Sequence, residues 1–386
     1  MKTTLTCLAL AAAIAAAAPA IAQNTPVKVG LMLPATGTFA NLGAMIENGF
    51  KLYVAENGGK LGGRDVVYAK VDDESDPSKA NDNVNKLIKR DQVDVLIGTV
   101  HSGVALTMAK VAKETDTLLI VPNAGANAIT GPMCAKNIFR SSFSSWQSGF
   151  AMGKVAAERG HKKILTITWN YAFGNESVAA FTEGFEKAGG TVTENLTLPF
   201  PNVEFQALLT QIAAQKPDAV YAFFAGAGAV KFVKDYAAAG LNKTIPLYGP
   251  GFLTDGTLDA QGAAAQGILT TLHYADNLNT PRDKNFRQSF QKAYKADADV
   301  YAVQGYDAAQ MLDAGLKAAG GDIKNRAKVI AGMEAAVIDS PRGSFRMSRA
   351  HNPVQDIYLR EVKGVDNIVK GVAIKALSDP AKGCRL

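Results

Sequence analysis

A regular exchange of two hydrophobic periods limits what this chain can fold into more than any other feature. Short, β-branched runs alternate with helical stretches of about 12 to 15 residues, and the series runs through twice. In the first series VKVGLML (27–33), RDVVYAKVDD (64–73), DVLIGTV (94–100) and TLLIVPN (117–123) read as strands. Helices are expected over 43–57, 77–90 and 103–115, the second opening on Asp76-Pro77, a favourable helix start. The second series has helices over 147–160, 174–188, 205–215 and 227–239, with strands at 162–170, 191–198, 218–224 and 244–250. Repeated strand–helix–strand units build a parallel sheet, because parallel neighbours need a crossover between them. Two series predict two α/β halves of similar size, and 386 residues exceed one ordinary domain. A strand-like run at 267–275, helices over 281–294 and 300–318, and short antiparallel strands with turns over 340–369 follow.

The first residues read as an export signal. Met1 and Lys2 precede an alanine-rich apolar run from Leu5 to Ala18, Pro19 breaks it, and Ala20-Ile21-Ala22 gives a small-x-small exit before Gln23. The run is shorter than the roughly 20 residues a spanning helix needs. A signal peptide over 1–22, cleaved after Ala22, and a periplasmic mature protein are therefore predicted. Cys7 lies inside that segment, far from the exit, which argues against a lipid-anchored cysteine. Removing 1–22 takes away one lysine and no acid, so the formal charge falls from +6 to +5. The charges are interspersed, with no basic block and no aromatic-basic stripe, which speaks against nucleic-acid binding. Cys134 and Cys384 remain, either as two thiols or as one disulfide tying the tail to the body; the oxidising compartment favours the bridge. Two distant cysteines and four scattered histidines lack metal-ligand spacing, so no metal or cofactor is expected.

Five segments in order carry a resemblance. LMLPATGTFANLGAMIENGFKLYVAENGG (31–59), GGRDVVYAKVDDESDPSKANDNVNKLI (62–88), VDVLIGTVHSGVALTMAKVAKETDTLLIVPNAGA (93–126), YAFGNESVAAFTEGF (171–185) and DAVYAFFAGAGAVKFVKDYAAAGL (218–241) resemble the branched-chain amino-acid-binding (Leu/Ile/Val-binding) family of periplasmic solute-binding proteins of ABC transporters. The resemblance covers essentially the whole mature chain. It implies a type I periplasmic binding protein, with two Rossmann-like lobes joined by a multi-strand hinge that close on a ligand. The lobes would be 26–144 plus 274–351, and 145–273 plus 352–386. An ABC permease in the inner membrane would be the partner of a monomer.

Ligands of open α/β sheets sit beyond the carboxyl ends of the strands. The turn GTVHSG (98–103) ends one strand and starts a helix, where free N–H groups favour an anion. The resemblance places a ligand carboxylate here, on Ser102 and on groups around Asn123, Ala124 and Gly125. Ser102 has a second reading as a helix cap. His101 offers its backbone, a neutral wall or an ion partner.

An α-amino acid also needs acids to hold its buried ammonium. In amino-acid-binding relatives one acid follows the Phe-Arg pair at the lobe crossing; in FRSSFSSWQSG (139–149) that position is Ser145. Another follows the Gly-Pro strand end; in YGPGFLTDG (248–256) that position is Gly251, which would leave room for a ring, with Asp255 farther on as a loop or cap residue. Phe39, Leu42, Trp146, Tyr171, Phe173, Phe224, Gly226 and Phe252 are the apolar or small candidates for the pocket. Strand-end phenylalanines are also common core residues, so only part of this set is expected to face a ligand. The reading is a binder of an aromatic carboxylate of benzoate or hydroxycinnamate type, resembling the family's aromatic-acid branch. A branched-chain amino acid comes second and a short aliphatic or keto acid third; a sensor for a membrane receptor would share the same cleft. No Gly-x-Ser-x-Gly elbow, phosphate loop or dinucleotide fingerprint supports an enzyme.

Overall fold

The computed structural model describes residues 25–386; the segment 1–22 and its cleavage after Ala22 lie outside the described residues. The first half holds β1 (Val27–Leu33), α1 (Ala40–Glu56), β2 (Lys60–Leu61), β3 (Arg64–Asp72), α2 (Ala80–Asn85), β4 (Val95–Ile97), α3 (Ser102–Thr115), β5 (Leu118–Val121) and β6 (Ile138–Arg140). The strands form one sheet in the order β2-β3-β1-β4-β5-β6. It is parallel except for the β2–β3 hairpin. Its inner strands are buried on both faces, which is why they read as unbroken apolar runs rather than alternating ones.

The chain then enters α4 (Ser145–Glu158), β7 (Lys163–Trp169), α5 (Ala172–Glu186), β8 (Thr191–Leu198), α6 (Gln206–Gln215), β9 (Ala219–Phe223), α7 (Gly226–Ala238), β10 (Leu247–Pro250), α8 (Leu258–Gln261) and β11 (Leu269–Leu272). Next come α9 (Pro281–Tyr294), α10 (Val300–Ala318), α11 (Arg326–Ala335), β12 (Val337–Ile338), β13 (Phe345–Met347), β14 (Pro353–Lys363) and β15 (Asp366–Leu377). The second sheet runs β12-β13-β14-β11-β10-β9-β7-β8, with β15 on β14. β7 to β11 pair in parallel, whereas β14 and β15 are antiparallel additions.

Between β11 and β14 the chain returns to the first half. There α10 lies on α1 so closely that a Cβ on Gly49 would strike the Ala302 carbonyl, and one on Gly305 the Ile46 carbonyl. The two helices touch backbone to backbone, and larger residues at either position would part them. α4 and α5 meet similarly at Gly153 and Gly184.

The helix expected over 77–90 is interrupted. Asp76 caps Ser78 as anticipated, at 2.9 Å, but a 3-10 turn over Pro77–Lys79 precedes α2, and a wide turn over Lys86–Arg90 follows. That turn carries Leu87 fully into the core. The helix α11 buries only Val329 and Met333 and so leaves little periodic signal in the sequence. After β15 the tail turns back to the first half: Ser144 donates to Asp379, and a disulfide joins Cys384 to Cys134 with Cα atoms 5.5 Å apart.

Candidate ligand site between the lobes

The first wall is built at the carboxyl ends of β4 and β5. The helix α3 starts at Ser102, and its cap is His101, whose Nδ1 accepts from the Gly103 N–H at 3.0 Å. The capping alternative for Ser102 therefore falls. Its hydroxyl is fully buried with no hydrogen-bond partner, at the positive end of a 14-residue helix. Burial pushes the His101 imidazole down to about 4. It is neutral, so it is not an ion partner; its ring stacks on Tyr171 of the second half at 4.8 Å.

The loop after β5 supplies the rest of this wall. Arg140, fully buried, donates to Thr130 Oγ1 and to the carbonyls of Ala124 and Ala126, fixing the loop from behind. The Ala124 N–H is taken by the Thr99 carbonyl at 2.9 Å, so Ala124 offers a ligand no backbone hydrogen bond, contrary to the expectation for it. The Gly125 carbonyl accepts from the Ser145 N–H at 2.8 Å, while its own N–H finds no acceptor among the described residues. Asn123 Nδ2 donates to Gln304 Oε1 at 2.7 Å, so this amide is engaged with α10. The Ser102 hydroxyl and the Gly125 N–H are thus free donors at the expected carboxylate site.

The second wall is aromatic, and the two walls touch. Phe173 sits against Gly125, where a Cβ would overlap its ring and the Ser145 hydroxyl. Gly226, at φ +55°, faces the Thr38 carbonyl, Phe39 and Leu42 across the same gap. Phe39 packs on Phe200 at 5.4 Å and His101 on Phe200 at 4.7 Å. A second ring group joins Phe143 to Phe252 at 4.7 Å, Phe143 to Phe173 at 5.9 Å and Phe252 to Tyr301 at 6.1 Å. Phe39, Leu42, Ser145, Tyr171, Phe173, Gly226 and Phe252 thus come together with the carboxylate wall.

Three expected residues do not. Trp146 stacks on Phe150 at 4.5 Å and donates from its indole N–H to Glu183 at 3.0 Å, in a surface pocket beside the C-terminal tail. It lies one position past Ser145 on α4, a step that turns it to another face of the helix. Phe224 packs between Phe205 at 4.9 Å and Phe232 at 4.6 Å, inside the second half. Gly251 does not open room for a ring, because a Cβ there would meet the Arg360 guanidinium and Leu272.

Arg360 also corrects the reading of Asp255. This carboxylate is fully buried and forms a bidentate pair with Arg360, at 2.6 and 3.1 Å. Arg360 further donates to the Tyr274 carbonyl at 2.8 Å and to Thr270. Burial raises the Asp255 carboxyl against the pull of Arg360. The acid of this window is therefore consumed internally and is not available to an ammonium group.

Sequence reasoning missed Phe143, Phe200, Tyr301, Gln304 and His273. His273 directly follows β11. The strand-end rule that found Ser102 applies equally there, and it is one of four histidines in the chain.

A two-lobed α/β body with an unpartnered buried serine hydroxyl at a helix start on one side and a ring-lined wall on the other has the architecture of a protein that holds a small ligand between its lobes. The chain matches the family model described as periplasmic binding protein over residues 26–367, and it belongs to that family. It is thus a ligand-binding transport protein of the periplasm and not an enzyme, with the type I periplasmic binding protein fold. It is similar to an ABC transporter solute-binding protein from R. palustris in complex with benzoate, with 53% identity and a TM-score of 0.92, over 94% of this chain and 100% of that one. It is also similar to a solute-binding protein of an ABC transporter from Rhodopseudomonas palustris BisB5 in complex with 3,4-dihydroxybenzoic acid, with 32% identity and a TM-score of 0.87, over 92% and 99% of the two chains. A Leu/Ile/Val-binding protein homolog 6 from Brucella melitensis is 31% identical over 374 residues, 95% of this chain and 94% of that one.

Proposed function

We propose that the protein captures an aromatic monocarboxylate, of benzoate or hydroxybenzoate type, and delivers it to an ABC permease. The observation that carries this reading is the buried, unpartnered Ser102 hydroxyl at the start of α3, next in the chain to His101, whose ring packs on Tyr171 and Phe200. A buried donor without a partner is unfavourable until a ligand oxygen meets it. Ser145 stands where the family resemblance expects an acid of an amino-acid binder, and Asp255 is held by Arg360. An ammonium group would thus be buried in these windows without a free carboxylate. The solved relatives with benzoate and 3,4-dihydroxybenzoic acid support the same ligand class.

In this reading the lobes are 26–144 plus 274–351, and 145–273 plus 352–386. The first holds the carboxylate through Ser102 and Gly125. The second adds Phe173, Phe252 and Tyr171 and excludes water. Ligand binding shifts the open–closed equilibrium by its differential affinity for the two forms. The mature protein starts at Gln23 and acts as a monomer.

A thermal-shift series on ligand-free mature protein tests this. Benzoate and 4-hydroxybenzoate should raise the melting temperature according to concentration over Kd, and leucine, valine and aliphatic acids should not. A shift with leucine alone would overturn the aromatic reading.

A further inference from the structure

We propose that His273, in its Nδ1–H tautomer, is the ligand's second hydrogen-bond donor and selects aromatic acids that carry a ring oxygen. This rests on the aromatic-carboxylate reading and deepens it.

His273 follows β11 where the chain leaves the second sheet, and it is buried to 1% exposure. Its ring stacks on Phe143 at 5.4 Å and 19°, and Phe143 packs on Phe252 and Phe173 of the aromatic wall. A relay of two amides leads to it from the carboxylate side. Asn123 Nδ2 donates to Gln304 Oε1 at 2.7 Å, so Gln304 turns its Nε2 toward His273 Nε2, 3.3 Å away. An amide nitrogen only donates, so His273 Nε2 accepts. Burial, with Arg342 and Arg360 adding to it, holds this imidazole well below its ordinary value, so it is neutral. A neutral imidazole whose Nε2 accepts carries its proton on Nδ1. That Nδ1 is buried and has no partner.

The Tyr301 hydroxyl is also fully buried and unpartnered, and its ring neighbours Phe252 at 6.1 Å. Two unsatisfied polar groups beside one ring wall are unusual in a folded protein. A phenol oxygen placed between them would satisfy both, accepting from His273 Nδ1–H and donating its own proton to Tyr301. A methyl or a bare ring position satisfies neither. With the carboxylate on Ser102 and Gly125, the oxygen belongs on the far side of the ring.

Calorimetry on the intact mature protein compares 3- and 4-hydroxybenzoate with 4-methylbenzoate and benzoate. Wild type should prefer one hydroxybenzoate over 4-methylbenzoate by about tenfold or more. His273→Phe should bring the ratio of the two affinities to within about twofold of one, whatever it does to both in common, because only the hydroxybenzoate loses a partner that 4-methylbenzoate never had. Equal losses for all ligands, or no preference in wild type, would overturn the proposal. If His273→Phe does not fold, imidazole nitrogen NMR on wild type decides. The Nδ1–H tautomer, with a resonance moved by the hydroxybenzoate and not by 4-methylbenzoate, supports the proposal; the Nε2–H tautomer sinks it. If wild type binds no aromatic acid at all, it is the proposed function that fails.

Discussion

Ser102 and Gly251 were both singled out from sequence as ligand-facing, and their surroundings separate them. Ser102 sits at a strand-to-helix turn, whose backbone geometry is set locally, so its place at the start of α3 was legible from the residues around it. Replacing Ser102 with Ala should weaken carboxylate ligands by about 1.5–3 kcal/mol, roughly 10- to 150-fold in Kd, as loss of a hydrogen bond to a charged group does. Unchanged affinity by calorimetry would remove the anion site from this wall. The space beside Gly251, in contrast, is filled by Arg360 on β14, which no local pattern announces. Gly251→Ala should therefore act on folding: it would push the guanidinium off Asp255 and destabilise by a few kcal/mol, as disrupting a buried charge pair does. Denaturant unfolding checks this, and a variant as stable as wild type would mean that Arg360 yields freely. Trp146 teaches the same lesson: its neighbour Ser145 faces the cleft, and the turn of one helical step sends the indole to Glu183.

Periods of 2 and 3.6 are properties of elements, and most elements were legible for that reason. The strand 191–198 and the helices 281–294 and 300–318 run over the same residues in sequence reading and structure. The failures are elements too short or too exposed to show a period, such as β6 with three residues and α11, whose ten residues bury only two side chains. Half-buried charge is equally invisible at this scale. Asp299 caps α10, accepting from the Ala302 N–H at 3.0 Å. Burial is the main cause that pushes its carboxyl up to about 7, with Asp255 and Asp276 adding to it. The folded state then holds a proton that the unfolded chain, at an ordinary 3.8, has released. Stability from this group is fully present below 3.8 and is lost as pH rises through about 7. Asp299→Asn keeps a good capping side chain and removes the titration. Its stability relative to wild type should rise between pH 4 and pH 8, by at most a few kcal/mol in denaturant unfolding; parallel pH profiles would show that Asp299 keeps its ordinary acidity.

At the scale of the whole molecule, the twofold series of strands and helices gave the two sheets, and the family resemblance gave the cleft. The two cysteines of an exported chain gave the covalent fastening of the tail, and the bridge is present; the non-covalent contacts around it had no sequence signal. Beyond β15, Asp379 takes a hydrogen bond from Ser144, Lys382 lies 3.8 Å from Glu183, and Cys384 is bonded to Cys134. Cys134→Ser with Cys384→Ser should lower stability by about 2–5 kcal/mol, the range for removing a native disulfide; thermal unfolding with and without reductant measures it, and no change would mean that non-covalent contacts alone hold the tail. The bridge spans 250 positions of sequence, so it closes a covalent ring that contains the entire second sheet and the helices α9 to α11. A single protease cut anywhere inside that ring cannot release a fragment. The nicked protein migrates as one species until a reductant is added, and then as two.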